Sequence, residues 1–168
     1  MINKINKLSE TEFTQVFGNI FENASWIAKK LYNQKPFENF DDLSEKMLSI
    51  FEDISFENKL KILNSHPDLA NKAKVDSLTE DSNKEQKKAG LDSCTQKEFD
   101  DFKRLNMEYK KKFGFPFILA VKEKNKLEIL NIFKKRVLSK KNLEFDEAIK
   151  QVRSIAYLRL IELKRKIS

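Results

Sequence analysis

The sequence predicts an all-α protein folded as a single domain over residues 1–168. Three observations carry that expectation. Apolar residues recur at spacings of three and four in several windows, which is helical periodicity. Only three glycines and three prolines occur, so turn signals are few. Apolar and polar residues show little strict alternation. The length suits one hydrophobic core, and 14 phenylalanines supply much of its area.

The first amphipathic helix is expected to start near Ser9 or Thr11, with "SETE" as a capping box. Phe13, Phe17, Ile20, Phe21, Ala24 and Ile27 form its inner side, and "NQKPFENF" breaks it. Asp41 or Asp42 is the expected cap of a second helix carrying Leu43, Met47, Ile50 and Phe51. A third runs through Phe56, Leu60 and Leu63 and stops before His66-Pro67. Proline disfavours the α conformation in the residue before it, which puts His66 at a helix junction. Pro67 can then open the next short helix. The polar stretch 75–83 reads as a loop. "SNKEQKKAG" follows, with Ser82 at a cap position and Gly90 as a stop. Phe99, Phe102, Leu105, Tyr109 and Phe113 mark a further helix ending at Gly114. "FPFILAV" fits either a strand or a buried helix. Helices over 125–138 and 142–166 complete the chain.

Charged residues make up 35% of the chain and the formal charge is +7. The lysines are dispersed among Glu and Asp at helical spacing, as in Glu98, Asp101, Lys103 and Arg104, which describes a solvated helix surface. A basic helical module for nucleic acid is the rival reading, and the charge is its whole support. Cys94 is the single cysteine, which leaves no disulfide framework and no cysteine-based zinc site. "MINKINKLSETEF" has no apolar h-region, and no apolar run approaches a membrane span. "KRKIS" is not a peroxisomal signal of the Ser-Lys-Leu type. The expectation is a cytoplasmic protein with no membrane and no nucleic-acid partner.

Three residues stand out chemically. His66 is the single histidine, and imidazole suits proton transfer near neutral pH. Arg159 shares a helical stripe with Ala148, Val152, Ile155 and Leu163. A guanidinium keeps its charge, so an inward Arg159 requires an anionic or polar partner. That partner is either an internal carboxylate or a ligand. Glu85 fits a capping box with Ser82, folding back on its own helix start. The alternative is a carboxylate beside His66 that sets its tautomer. Asp68 reads as a first-turn helix carboxylate. No nucleophile elbow and no glycine-rich phosphate loop occurs. One histidine and one cysteine argue against a transition-metal site. Cofactor-free acid–base chemistry assisted by an arginine is the enzyme class that remains.

Four separated motifs agree with one family in order and spacing: "HPDLA" at 66–70, "SNKEQKKAGL" at 82–91, "LNMEYKKKFGFPFILAV" at 105–121 and "IAYLRL" at 155–160. The chain resembles the OHCU decarboxylases, which act on 2-oxo-4-hydroxy-4-carboxy-5-ureidoimidazoline in urate breakdown. "SWIAKKLYNQKPF" extends the resemblance towards the start. It implies a compact all-α fold and a carboxy-lyase that yields (S)-allantoin with no cofactor and no metal. It places the catalytic histidine on His66 and the catalytic glutamate on Glu85. Substrate-binding positions fall on Pro67, Ser82, Gln86 and Arg159, and on the backbone of Phe117, Ile118, Leu119 and Ala120. It also implies a homodimer and functional coupling to a hydroxyisourate hydrolase. A relative acting on another ureido or imidazoline acid is the second alternative.

Overall fold

The computed structural model describes residues 1–71 and 79–167. Among them it contains helices α1 (Ile2–Lys7), α2 (Glu10–Phe17), α3 (Trp26–Tyr32), α4 (Phe40–Asp53) and α5 (Phe56–Ser65). Helices α6 (Glu80–Lys88), α7 (Gln96–Phe113), α8 (Lys126–Arg136) and α9 (Lys141–Ile167) follow, and the described residues include no strand. The expected all-α class is borne out. No helix among the described residues is long and apolar enough to cross a membrane. The fold divides into two compact units, Met1–Ser65 with Val152–Ser168, and His66–Gln151.

In the first unit, the capping box at Ser9 forms as expected. The Glu12 N–H donates to Ser9 Oγ at 3.3 Å, and the Ser9 N–H donates to Glu12 Oε2 at 2.8 Å. The helix it opens is shorter than the periodicity implies. It ends at Phe17, and the chain turns before α3 starts at Trp26. Gly18 marks the break: a Cβ there would lie 2.4 Å from the Thr14 carbonyl oxygen. Phe13, Phe17, Ile20, Phe21, Ala24 and Ile27 are nevertheless all buried. The stripe identified the core correctly and the continuous helix incorrectly, because a buried turn can present the same residues inward.

Phenylalanines knit this unit together. Phe13 and Phe17 have ring centroids 4.5 Å apart, and Phe21 stacks on Phe51 at 4.8 Å. Helix α1 escapes sequence detection because "INKINK" buries only Ile5. Its anchor is polar: the Asn6 amide donates to the Phe37 carbonyl at 2.8 Å and accepts from the Phe37 N–H at 2.9 Å. Asn39, not Asp41 or Asp42, caps α4, accepting from both of their N–H groups at 2.9 Å. The two aspartates lie in the first turn, where negative charge suits the helix dipole.

The second unit packs around Tyr109, which is fully buried on α7. Phe117 stacks on Phe133 at 3.8 Å, with the Tyr109 ring edge-on to both. Helix α7 ends as expected at Gly114, whose φ of 83° is the left-handed cap conformation that glycine adopts without strain. The segment 115–121 is neither a strand nor a buried helix. Its residues are nearly all buried, yet its backbone is irregular. Surface lysines and arginines pair with acids along and between helices, as in Lys46–Asp42, Arg104–Glu108 and Lys126–Glu98.

Phe133→Ala should cost about 3–5 kcal/mol in denaturant unfolding, whereas exposed Phe56→Ala should change stability by less than about 0.5 kcal/mol. A second test uses pH. The Lys126 ammonium and the Thr95 N–H hold the Glu98 carboxyl below its usual range. A lowered folded pKa stabilises above the unfolded value and ceases to do so as pH falls through the folded one. The stability lead of the wild type over Glu98→Gln should therefore be present at pH 7 and vanish in the acid limb. A pH-independent difference would contradict it.

Candidate active site

Helix α5 stops at Ser65, so His66 stands at a junction as expected. It is half-buried. Ser65 Oγ lies 2.8 Å from the Ile62 carbonyl and 3.0 Å from that of Glu22, which fixes the helix end. Pro67 does not open a helix: residues 67–71 are irregular, with a turn at 69–70. Asp68 is accordingly not a first-turn helix carboxylate. It pairs with Lys110 on α7, whose ammonium lies 2.6 Å from Oδ1 and 2.7 Å from Oδ2.

Side chains from α6 and α7 hold the backbone of this turn. Gln86 Oε1 accepts from the Ala70 N–H at 3.1 Å, and Gln86 Nε2 donates to the Asp68 carbonyl at 3.3 Å. Asn106 Nδ2 donates to the Leu69 carbonyl at 2.9 Å. Ala70 has φ +55°, a left-handed conformation uncommon for a residue with a Cβ.

The start of α6 differs from the expectation, and the difference decides how Glu85 is read. Thr79 is the N-cap, and its side chain accepts from the Ser82 N–H at 3.3 Å. Ser82 is thus inside the first turn, and the capping box proposed for Ser82 and Glu85 does not form. The expected loop over 75–83 is helical from Glu80 onward, and residues 75–78 lie outside the described residues. One turn apart, Ser82 and Gln86 are 5% and 9% exposed. Glu85 is half-buried at the edge of the same face. Polar side chains occupy the inward face of a helix where apolar ones would give more stability.

Phe117, Ile118 and Leu119 are buried and Ala120 is half-buried. The Phe117 ring belongs to the core, between Phe133 and the Arg136 guanidinium, which lies 4.6 Å from its centroid. Side chains also hold the backbone here. Arg136 Nη1 donates to the Ile118 carbonyl at 2.7 Å, and Gln151 Oε1 accepts from the Ala120 N–H at 2.9 Å. Glu144 orients Arg136 through Nε at 2.6 Å and also accepts from Tyr109 Oη at 2.6 Å. Burial, then the bond to Glu144, pushes the Tyr109 hydroxyl pKa far up, so it stays a donor.

In the first unit, Arg159 is 6% exposed on α9, beside Ala156 and Leu160. Ile155 and Leu163, which share its predicted stripe, are only half-buried. The internal-carboxylate alternative is realised: Arg159 Nη1 lies 3.2 Å from Glu22 Oε2. It also approaches the Asn19 and Ile20 carbonyls at 3.3 and 3.4 Å. Glu22 was not singled out in the sequence. Its role is set by its burial and by a partner 137 residues away, neither of which the sequence displays locally. Among the described residues no group of three or more His, Cys, Asp or Glu side chains is arranged to hold a metal ion.

The described residues thus define a helical protein that sets its imidazole on a side-chain-braced turn and lines the adjoining helix with polar groups. The chain belongs to the OHCU decarboxylase family, whose model matches residues 6–161. It is 37% identical to the 2-oxo-4-hydroxy-4-carboxy-5-ureidoimidazoline decarboxylase of Haloferax volcanii, over 96% of this chain and 94% of that one. It is 38% identical to the uric acid degradation bifunctional protein of Bacillus sp. (strain TB-90), covering 98% of this chain but only 32% of that longer protein. The crystal structure of an (S)-allantoin synthase superimposes with a TM-score of 0.77 at 28% identity, over 97% of this chain and 54% of that one. The resemblance drawn from four motifs is borne out at the level of family and fold.

Removing the Glu22 carboxylate would take an ion-pair partner from the buried Arg159 guanidinium. Glu22→Ala should lower unfolding stability by about 3–5 kcal/mol. A loss below about 1 kcal/mol would show that other groups carry the charge balance.

Proposed function

We propose that this chain is a cofactor-independent carboxy-lyase that converts 2-oxo-4-hydroxy-4-carboxy-5-ureidoimidazoline to (S)-allantoin, the whole chain acting as one catalytic domain. The observation that carries the reading is His66: a half-buried imidazole on a braced turn, inside a family match that spans residues 6–161. The substrate explains why so small a set of groups suffices. One ring carbon carries both hydroxyl and carboxylate, next to a C=N carbon that bears the ureido group. When the carbon–carboxylate bond breaks, its electron pair forms a new C=C bond and the C=N nitrogen takes up a proton. The hydroxyl then becomes a carbonyl as its proton leaves and the ureido-bearing carbon gains one. Carbon dioxide departs, and one net proton is taken up by the carboxylate form. The substrate is its own electron sink.

In this reading His66 moves the hydroxyl proton and Glu85 orients the imidazole. Glu85, half-buried on the helix whose Gln86 holds the turn after His66, is the carboxylate assigned to that task. Arg159, held by Glu22, binds substrate oxygens and stabilises developing negative charge. Pro67, Ser82, Gln86 and the backbone from Phe117 to Ala120 contribute binding positions. The homodimer rests on the family resemblance alone, and sedimentation of the purified protein decides it; the cytoplasmic location rests on the single cysteine, which suits a reducing compartment. Coupling to a hydroxyisourate hydrolase gains support from the bifunctional name of the longer Bacillus relative.

The test is circular dichroism on freshly generated substrate. Wild-type protein should produce optically active (S)-allantoin faster than the spontaneous decay to racemate. His66→Ala should lose ~10²–10⁴-fold in kcat while remaining folded. Racemic product at the spontaneous rate with folded wild-type protein would refute the activity. Full activity of His66→Ala would refute the site.

A further inference from the structure

We propose that Asn106, which lies in the 105–121 motif but is not among the residues assigned to the site, is a positioning residue for His66. It acts with Gln86 and Lys110 through the turn at 68–70, and the proposal rests on His66 being the proton-transfer group. Asn106 is 7% exposed and lies in the middle of α7. A buried amide there needs partners, and its Nδ2 finds one in the Leu69 carbonyl at 2.9 Å. Gln86, from α6, takes the Asp68 carbonyl and the Ala70 N–H on either side. Two buried amides from two helices therefore hold three consecutive residues of backbone. Lys110, one helical turn after Asn106, adds the ion pair to the Asp68 carboxylate.

The geometry explains why such a clamp is needed. Ala70 sits at φ +55°, where a residue with a Cβ is disfavoured, so local propensity would let the turn relax. The clamp opposes that relaxation. Only Pro67 separates His66 from the clamped residues, and its ring locks φ. A shift of the turn is therefore passed to the imidazole instead of being absorbed by the link. A displacement of a catalytic group by about 1 Å can cost large factors in rate.

Asn106→Leu keeps most of the volume and removes the donor. It should lower kcat roughly tenfold through misplacement of the imidazole, with KM changed less than about twofold. The pH profile of kcat/KM should shift with it. His66 is the single histidine, so the imidazole NMR signals are unambiguous and should move in the variant without any substrate present. Lys110→Met, at a half-exposed position, should fold in any case and show the same changes in smaller measure, about two- to threefold in kcat. Folded variants with unchanged kcat and unchanged imidazole signals would overturn the proposal. If Asn106→Leu does not fold, unchanged signals and kcat in Lys110→Met overturn it equally. Failure of the wild type to form (S)-allantoin would instead overturn the functional reading, while the imidazole signals would still decide the clamp.

Discussion

Buried backbone outside a helix must find its hydrogen bonds somewhere, and in this fold side chains supply them. The second unit has two irregular stretches that carry candidate site residues, 66–71 and 114–121. Neither pairs with a strand among the described residues. Gln86 and Asn106 satisfy the first, and Arg136 and Gln151 satisfy groups of the second. The helices accordingly do more than enclose apolar area. They place long polar side chains at fixed heights, and those side chains determine where the irregular backbone runs.

Buried charge follows the same logic. A buried ion pair is weak evidence for stability, since well-packed apolar side chains often do as well. Arg136 nevertheless spans a gap that no apolar residue can. One of its amino groups donates to the Ile118 carbonyl while Glu144, 1% exposed, balances its charge. Tyr109 then donates to the same carboxylate from the centre of the aromatic cluster. Core packing, charge balance and the course of the 117–120 backbone are thus one arrangement. Arg159 and Glu22 form the counterpart in the first unit, where the arginine also approaches two backbone carbonyls.

The helices around this framework were readable wherever an apolar stripe coincided with a cap. The stop at Ser65, the left-handed stop at Gly114 and the start at Ser9 all have local causes that sequence displays. Misses occurred where burial and helicity separate. Residues 13–27 keep a helical burial pattern through a non-helical turn, and "INKINK" is helical with one buried residue. "FPFILAV" left strand and helix open because its backbone partners are side chains 18 and 31 residues away. The need of Arg159 for a counter-charge was legible: on an apolar stripe it required an anion, and Glu22 is one. Asn106 and Glu22 were not legible, because each is defined by a partner distant in sequence.

The register of α6 shows how far local rules reach. Ser82 and Glu85 have the spacing of a capping box, and so read they would explain each other without reference to function. Thr79 takes the cap instead, three residues earlier, and that shift re-aims the whole segment. Ser82 moves from the helix boundary into its first full turn and becomes buried. Gln86, four residues on, comes under the turn that carries His66 and bonds its backbone at two points. Glu85 no longer closes a helix end and lies at the rim of the same face. A helix that places serine and glutamine inward forgoes apolar burial along that face. The bonds from Gln86 to Asp68 and Ala70 show what that polar face obtains in return: a fixed course for the backbone that follows the imidazole.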